Sequence, residues 1–407
     1  MCATLSCRLR GFTVAIALVL MLGAGASLAA ELDASRLRLI AAKMQEFVDQ
    51  GDLAGAVTLV GRHDGVASLE AVGYRDLDRK VPMRTDSIFR IASMTKPITA
   101  IAVMILADEK KLAVDDPVEK YLPEFRDQRL KTGEGPGGLK KPSRPVTLRD
   151  LLTHTSGMHG GLPRWPADLY LKRDHTLADV VPRFAKEPLE FEPGTKWSYC
   201  NVGIDTLGRI IEVVSGQSYE AFLKRRVFDP LGMPDTCFYP TAEQRKRIAA
   251  TYDKKDGRLI RIDRDIIGLP SDGKYPIPAG GLCSTANDLA RVYRMMLNHG
   301  DLDGRRILSP SAVKEMTQVH TADLTAGFTS GVGFGLGWGV VRQPRGVTAM
   351  LSPGTFGHGG AFGTQGWIDP HKDLVLVLLI QRVGLPNGDE SPMRREFQST
   401  AVSALRE

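Results

Sequence analysis

Two regimes of apolar patterning divide the chain. Near the N-terminal end, Ala56–Arg62 and Val66–Tyr74 are β-rich runs separated by the turn signal His63-Asp64-Gly65, which predicts a hairpin. Near the other end, Phe334–Val341, Gln365–Ile368 and Leu374–Gln381 predict three more strands, the last two flanking a turn at Asp369-Pro370-His371-Lys372. The stretch Asp373–Ile380 is strongly apolar, but its length suits a buried strand and not a membrane span. Between these ends, Ile98–Lys111, Val202–Ser215, Tyr219–Val227 and Ala286–Leu297 read as helices, and Ser215-Gly216 and His299-Gly300 supply two of the stop signals. The segment Met158–Lys196 is rich in Pro, Gly and Trp and predicts long loops around a short helix. Strands from both termini with helices between them predict an α+β fold. Its mostly antiparallel sheet is built from both chain ends, flanked by helices, with an inserted helical lobe. A cleft between sheet and lobe is the natural place for a site.

The first residues follow another logic. Arg8 and Arg10 precede an apolar run from Phe12 to Leu22, and Ser27-Leu28-Ala29 fits a small-x-small cleavage site. This predicts a signal peptide over residues 1–29 and a periplasmic or secreted product with no stable membrane anchor. Cys2 and Cys7 lie before the apolar run, the wrong place for a lipid-anchored cleavage site. A formal net charge of +6 over 407 residues does not point to nucleic acid. The basic residues between Arg129 and Arg144 sit among glycines and prolines and read as a solvated loop. Beyond residue 29 the cysteines are Cys200, Cys237 and Cys283, an odd number with no zinc spacing. They read as buried small residues, with room for one disulfide at most. No metal or other cofactor is expected, and the oligomeric state is left open.

Candidate chemistry begins at Ile91-Ala-Ser93-Met-Thr-Lys96-Pro97. Ser and Lys three apart share one face of a helix. Pro97 belongs in a first turn, where backbone N–H groups lack an acceptor anyway, so Ser93 is placed at the start of the helix. The helix dipole there favours a developing alkoxide and disfavours a protonated lysine. Ser93 would then be activated by its neighbour as base. A second element is Trp197-Ser-Tyr199-Cys200-Asn201, whose Tyr and Asn, two apart, can point to one side of an extended segment. Tyr199 could relay a proton, and the Asn201 carboxamide offers donors and an acceptor to a substrate. A third is Gly357-His358-Gly359-Gly360-Ala361, a glycine-rich stretch that lets a ligand approach an edge strand closely. Each also has a plain structural reading: a Ser N-cap beside a solvated Lys, a buried Tyr before a helix cap, a glycine turn.

Together, and in this order, these elements resemble the serine β-lactamase and penicillin-binding protein superfamily, closest to class C β-lactamases and family VIII carboxylesterases. Flanking stretches resemble it too: Leu148-Arg-Asp-Leu-Leu-Thr-His-Thr-Ser-Gly157, Phe228-Asp-Pro-Leu-Gly-Met-Pro-Asp-Thr236 and Ala279-Gly-Gly-Leu-Cys-Ser-Thr-Ala-Asn-Asp-Leu-Ala290. The resemblance implies one serine-hydrolase domain over residues 30–407. It implies an acyl-enzyme on Ser93, proton shuttling by Lys96 and Tyr199, and substrate contacts from Asn201, His358, Gly359 and Gly360. The N–H groups of Ser93 and Ala361 would hold the oxyanion. Which of Lys96 and Tyr199 is the formal base stays open, because the two titrate as a coupled pair. Two departures stand out. His358 replaces the Lys that usually opens the third motif, and Cys200 occupies the centre of Tyr-x-Asn. The first weakens recognition of a substrate carboxylate, with Arg382 as an alternative source of charge. Small esters are therefore the expected substrates, with weak β-lactamase activity. The alternatives are a β-lactamase, a D-aminopeptidase or DD-peptidase, an acyltransferase, or a non-catalytic penicillin-binding sensor.

Overall fold

A computed structural model describes residues 31–133, 138–263 and 266–406. The signal-peptide expectation for residues 1–29 lies outside them. Among the described residues, eight strands form the principal sheet: β1 Gly55–Gly61, β2 Val66–Asp76, β3 Val81–Pro82, β4 Val332–Phe334, β5 Gly339–Val341, β6 Phe356–Gly359, β7 Gln365–Asp369 and β8 Leu374–Leu379. Their order is β4-β5-β6-β7-β8-β1-β2-β3, antiparallel at every pairing. The two chain ends meet in the middle of the sheet, where Val57 lies opposite Leu379 and Leu59 opposite Val377.

Alternation explains why both faces of the central strands are apolar. Val375, Val377 and Leu379 join Val57 and Leu59 in the larger core, whereas Leu374, Leu376 and Leu378 join Ala56 and Val60 in a second one. Helices α1 (Leu39–Asp49) and α5 (Pro392–Ser403) cover the second face through Ile40, Met44, Met393 and Phe397. On the first face lies the helical lobe. It includes α2 (Thr95–Asp108), α3 (Asn201–Ser215) and α4 (Ala286–Leu297). Every residue of α2 from Thr95 to Leu106 is buried, so this helix is a spine of the larger core.

Two sequence readings are corrected. The single strand expected over Phe334–Val341 is a hairpin, β4 and β5. Gly335 N–H closes the turn on the Trp338 carbonyl, and Gly337 takes a φ of +79°. A Cβ on Gly337 would stand 2.5 Å from the Ala100 side chain, so the turn lies hard against α2. Nor is the His358 strand an edge. It is interior, although β5 pairs with it only at Phe356 and Gly357, which leaves its outer side open from His358 onward.

The basic loop is largely neutralised: Lys131 pairs with Glu190, Lys140 with Glu192 and Arg144 with Asp150. Cys237 and Cys283 are free thiols on directly opposed antiparallel positions, and Cys200 is free and buried.

Candidate active site

Ser93 lies in a single 3-10 turn, Ala92–Met94, which runs directly into α2. Pro97 is the third residue of that helix, the first turn that its missing N–H allows. Ala92 has a φ of +44°, an uncommon conformation for a residue with a side chain. The Thr95 hydroxyl holds it by donating to the Ala92 carbonyl at 2.7 Å, while Ile91 N–H donates to Leu282 O at 3.0 Å. Ser93 itself remains partly exposed.

Lys96 projects from the same face and is completely buried. Its Nζ lies 3.2 Å from Ser93 Oγ, 2.7 Å from Asn201 Oδ1 and 2.6 Å from the Ala279 carbonyl. Burial pulls its pKa down to about 7, with Asp205 and Cys200 opposing the shift. A neutral amine has two N–H donors and one lone pair. The two oxygen acceptors take the donors, which leaves the lone pair for the Ser93 proton.

Tyr199 approaches Ser93 from the other side. Its ring centroid lies 4.6 Å from Lys96 Nζ. Desolvation raises the phenol well above its usual pKa, the Ser93 hydroxyl that bears on it partly offsetting the rise, so at rest it is a neutral donor. Asn201 opens α3 and Cys200 caps that helix, its Sγ accepting from Gly203 N–H at 3.3 Å. The second motif is therefore the entry to a helix, and Asn201 also donates to the Gly161 carbonyl at 2.8 Å.

The third motif closes the site. Gly360 packs so tightly that a Cβ would stand 2.4 Å from the Ile91 carbonyl oxygen, bringing the β6–β7 turn against the approach to Ser93. The N–H of Ala361, next in this turn, makes no hydrogen bond among the described residues. Gly359 is equally tight, with a hypothetical Cβ 1.9 Å from Asp389 Oδ1.

His358, where a lysine usually opens this motif, carries no charge at neutral pH. It is buried, and burial, with Lys96 second, lowers its pKa to about 4. Its Nδ1–H donates to the Gly359 carbonyl at 2.6 Å. The imidazole is thus neutral at pH 7, and its Nε2 has no partner among the described residues. Arg382 is not a substitute for the missing lysine. Its guanidinium donates to the Asp52 carbonyl at 2.7 Å. Arg394 lines the small cavity beside His358, but it is fully buried, donates to the Asp389 carbonyl and stacks over Trp367.

Sequence reasoning missed two residues. Asp205 lies one turn beyond Asn201 on α3, fully buried, with burial raising its carboxyl pKa to about 6. It accepts from Tyr170, Tyr275 and Ala279 N–H, and so fixes the loop whose carbonyl receives Lys96. The i, i+4 spacing from Asn201 was a readable signal. His154, inside the Leu148–Gly157 stretch, packs its ring 4.6 Å from that of Tyr199.

Comparison with known proteins finds relatives over most of the chain. The family profile described as Beta-lactamase matches residues 40–399. An uncharacterised protein of Mycobacterium tuberculosis is 38% identical over 364 residues, covering 84% of this chain and 88% of that protein. Esterase EstB of Burkholderia gladioli is 32% identical over 388 residues, covering 86% and 94%. Among solved structures, EstCE1, described as a hydrolase with promiscuous acyltransferase activity, superposes with a TM-score of 0.75 at 26% identity, covering 91% of this chain and 97% of its own. A family match over nearly the whole chain, around a Ser-Lys-Tyr cluster of this geometry, establishes that the protein belongs to the β-lactamase family and is a serine hydrolase.

Proposed function

We propose that this chain hydrolyses small, uncharged esters through an acyl-enzyme on Ser93. The observation that carries the substrate class is the charge beside the third motif. A neutral His358 stands where a lysine would otherwise open the motif, and the Asp389 side chain sits against Gly359. Among the described residues the cation lining that cavity is Arg394, which is fully buried and held by the Asp389 carbonyl, so a substrate carboxylate placed there meets no exposed cation. Phe328, exposed at the mouth and 4.9 Å from the Tyr199 ring, adds apolar surface that suits an acyl or alkoxy group.

In this reading Lys96 takes the Ser93 proton as Oγ attacks the ester carbon. The N–H groups of Ser93 and Ala361 hold the oxyanion. Collapse breaks the C–O bond of the alcohol, which Tyr199 protonates as it leaves. The resulting phenolate lies against the Lys96 cation. Water then attacks the acyl-enzyme by the reverse route, returning the proton to Ser93 and releasing the acid. An alcohol could replace water in that step, as the described acyltransferase activity of EstCE1 suggests.

The test compares p-nitrophenyl butyrate with nitrocefin at pH 7. The ester's kcat/KM is expected to be larger by at least about tenfold, roughly 1.4 kcal/mol of transition-state discrimination. His358→Lys is expected to narrow the gap by raising nitrocefin turnover. Nitrocefin hydrolysis as fast as the ester, or no gain in the lysine variant, would overturn the substrate assignment.

The role given to Tyr199 has its own signature. A p-nitrophenolate leaves without help, whereas an alkoxide needs a proton. Tyr199→Phe is therefore expected to lower kcat/KM, which ends at acylation and leaves out the butyryl-enzyme hydrolysis that both esters share, by about a hundredfold for an alkyl butyrate. For p-nitrophenyl butyrate the loss should be several times smaller. Equal losses on both esters would remove Tyr199 from the donor role.

A further inference from the structure

His154 touches the peptide on both sides of Tyr199. Its carbonyl accepts the Ser198 N–H at 2.9 Å. Its Nδ1 accepts the Cys200 N–H at 3.2 Å. Between these two anchors its ring lies 4.6 Å from the Tyr199 ring, tilted by 44°. The residue is 1% exposed and takes a φ of +60°, a left-handed conformation that a histidine adopts at some cost. That backbone conformation is part of the arrangement, since carbonyl and side chain both address the extended segment that carries Tyr199.

We infer that His154 is a positioning residue for Tyr199. It clamps the Ser198–Cys200 peptide so that the phenol hydroxyl reaches Ser93 and the ring faces Lys96. The inference rests on the donor role proposed above for Tyr199. The clamp requires an unprotonated Nδ1, because its lone pair receives the Cys200 N–H. Complete burial beside Lys96 and His358 maintains that state by holding the imidazole pKa well below its usual value. Nothing in this arrangement asks His154 to meet the substrate. Its effect should therefore fall on the chemical step and not on binding.

Two amide substitutions separate positioning from packing. Asparagine carries its carbonyl oxygen near the place of Nδ1 and tolerates a left-handed backbone. Glutamine is closer in volume but sends its amide toward the place of Nε2. His154→Asn is expected to keep kcat for an alkyl butyrate within about threefold. His154→Gln is expected to lose at least about tenfold in kcat on the alkyl butyrate with KM changed less than twofold, and to lose less in kcat/KM on the p-nitrophenyl ester. Combined with Tyr199→Phe, His154→Gln should cost no more than Tyr199→Phe alone, since the clamp acts only through that hydroxyl. Thermal melting of each variant accompanies the kinetics, and His154→Leu replaces the glutamine variant if that one does not fold. Equal losses on both esters, a loss carried by KM, or an additive double variant would overturn the inference, provided that Tyr199→Phe itself shows the leaving-group signature. Absence of that signature in Tyr199→Phe would instead overturn the donor role on which it rests.

Discussion

Ser93→Ala is expected to abolish ester hydrolysis, with kcat falling by at least about 10⁴-fold, and to abolish covalent labelling by a fluorophosphonate. The loss follows from geometry. The partly exposed Ser93 hydroxyl stands between Lys96 Nζ at 3.2 Å and the Tyr199 hydroxyl, so both proton-handling groups converge on one oxygen. Without it there is no acyl-enzyme. The fold should survive, because the change removes one hydroxyl while the Thr95 and Leu282 hydrogen bonds that shape the turn remain. Melting within a few degrees of wild type, with intact mass unchanged after incubation with the label, is the expected result. Residual turnover near wild type would remove Ser93 from the mechanism and the proposed function with it.

Lys96→Met is expected to lower kcat by about 10³-fold, within the range for loss of a general base. Methionine fills much of the lysine's space but has no lone pair on nitrogen to take the Ser93 proton. The same residue predicts the pH profile. In the proposed mechanism the active base is neutral Lys96, and burial brings its pKa down from 10.5 to about 7. Protonation as pH falls through that value removes the base. Thus kcat/KM should rise with pH, turn over near 7 and then level off. A profile flat from pH 5 to 9 would defeat the assignment, and so would labelling of Lys96→Met at the wild-type rate. Because Lys96 and Ser93 act as a unit, the double variant should be hardly worse than Ser93→Ala.

Much of the architecture was legible from local pattern. Ala286–Leu297 is a helix over those same residues, because its apolar side repeats at helical spacing and Thr285 caps its start. The first and last strand runs were readable because their apolar stretches are bounded by turn residues. Phe334–Val341 was misread for a definite reason. Its glycines allow either a strand or a turn, and the choice came from the approach of Gly337 to Ala100, a residue more than two hundred positions away. Pro97 correctly placed Ser93 at the head of a helix, because proline's demand is local.

By itself, then, the sequence determined the order of the elements, the shared helical face of Ser93 and Lys96, and the family resemblance carried by three short motifs. Only the tertiary structure decided how those groups are charged and held. Whether Lys96 is a surface cation or a base with a pKa near 7 depends on complete burial, on the Ala279 carbonyl and on Asp205. Whether His358 offers charge depends on its burial, on Lys96 nearby and on its bond to the Gly359 carbonyl. His154 and Asp205 matter through contacts with segments distant in sequence. Periodicity and spacing report which face of an element a residue occupies. Desolvation and Coulomb interaction depend on what the folded chain brings within a few ångströms, and local sequence carries no measure of that distance.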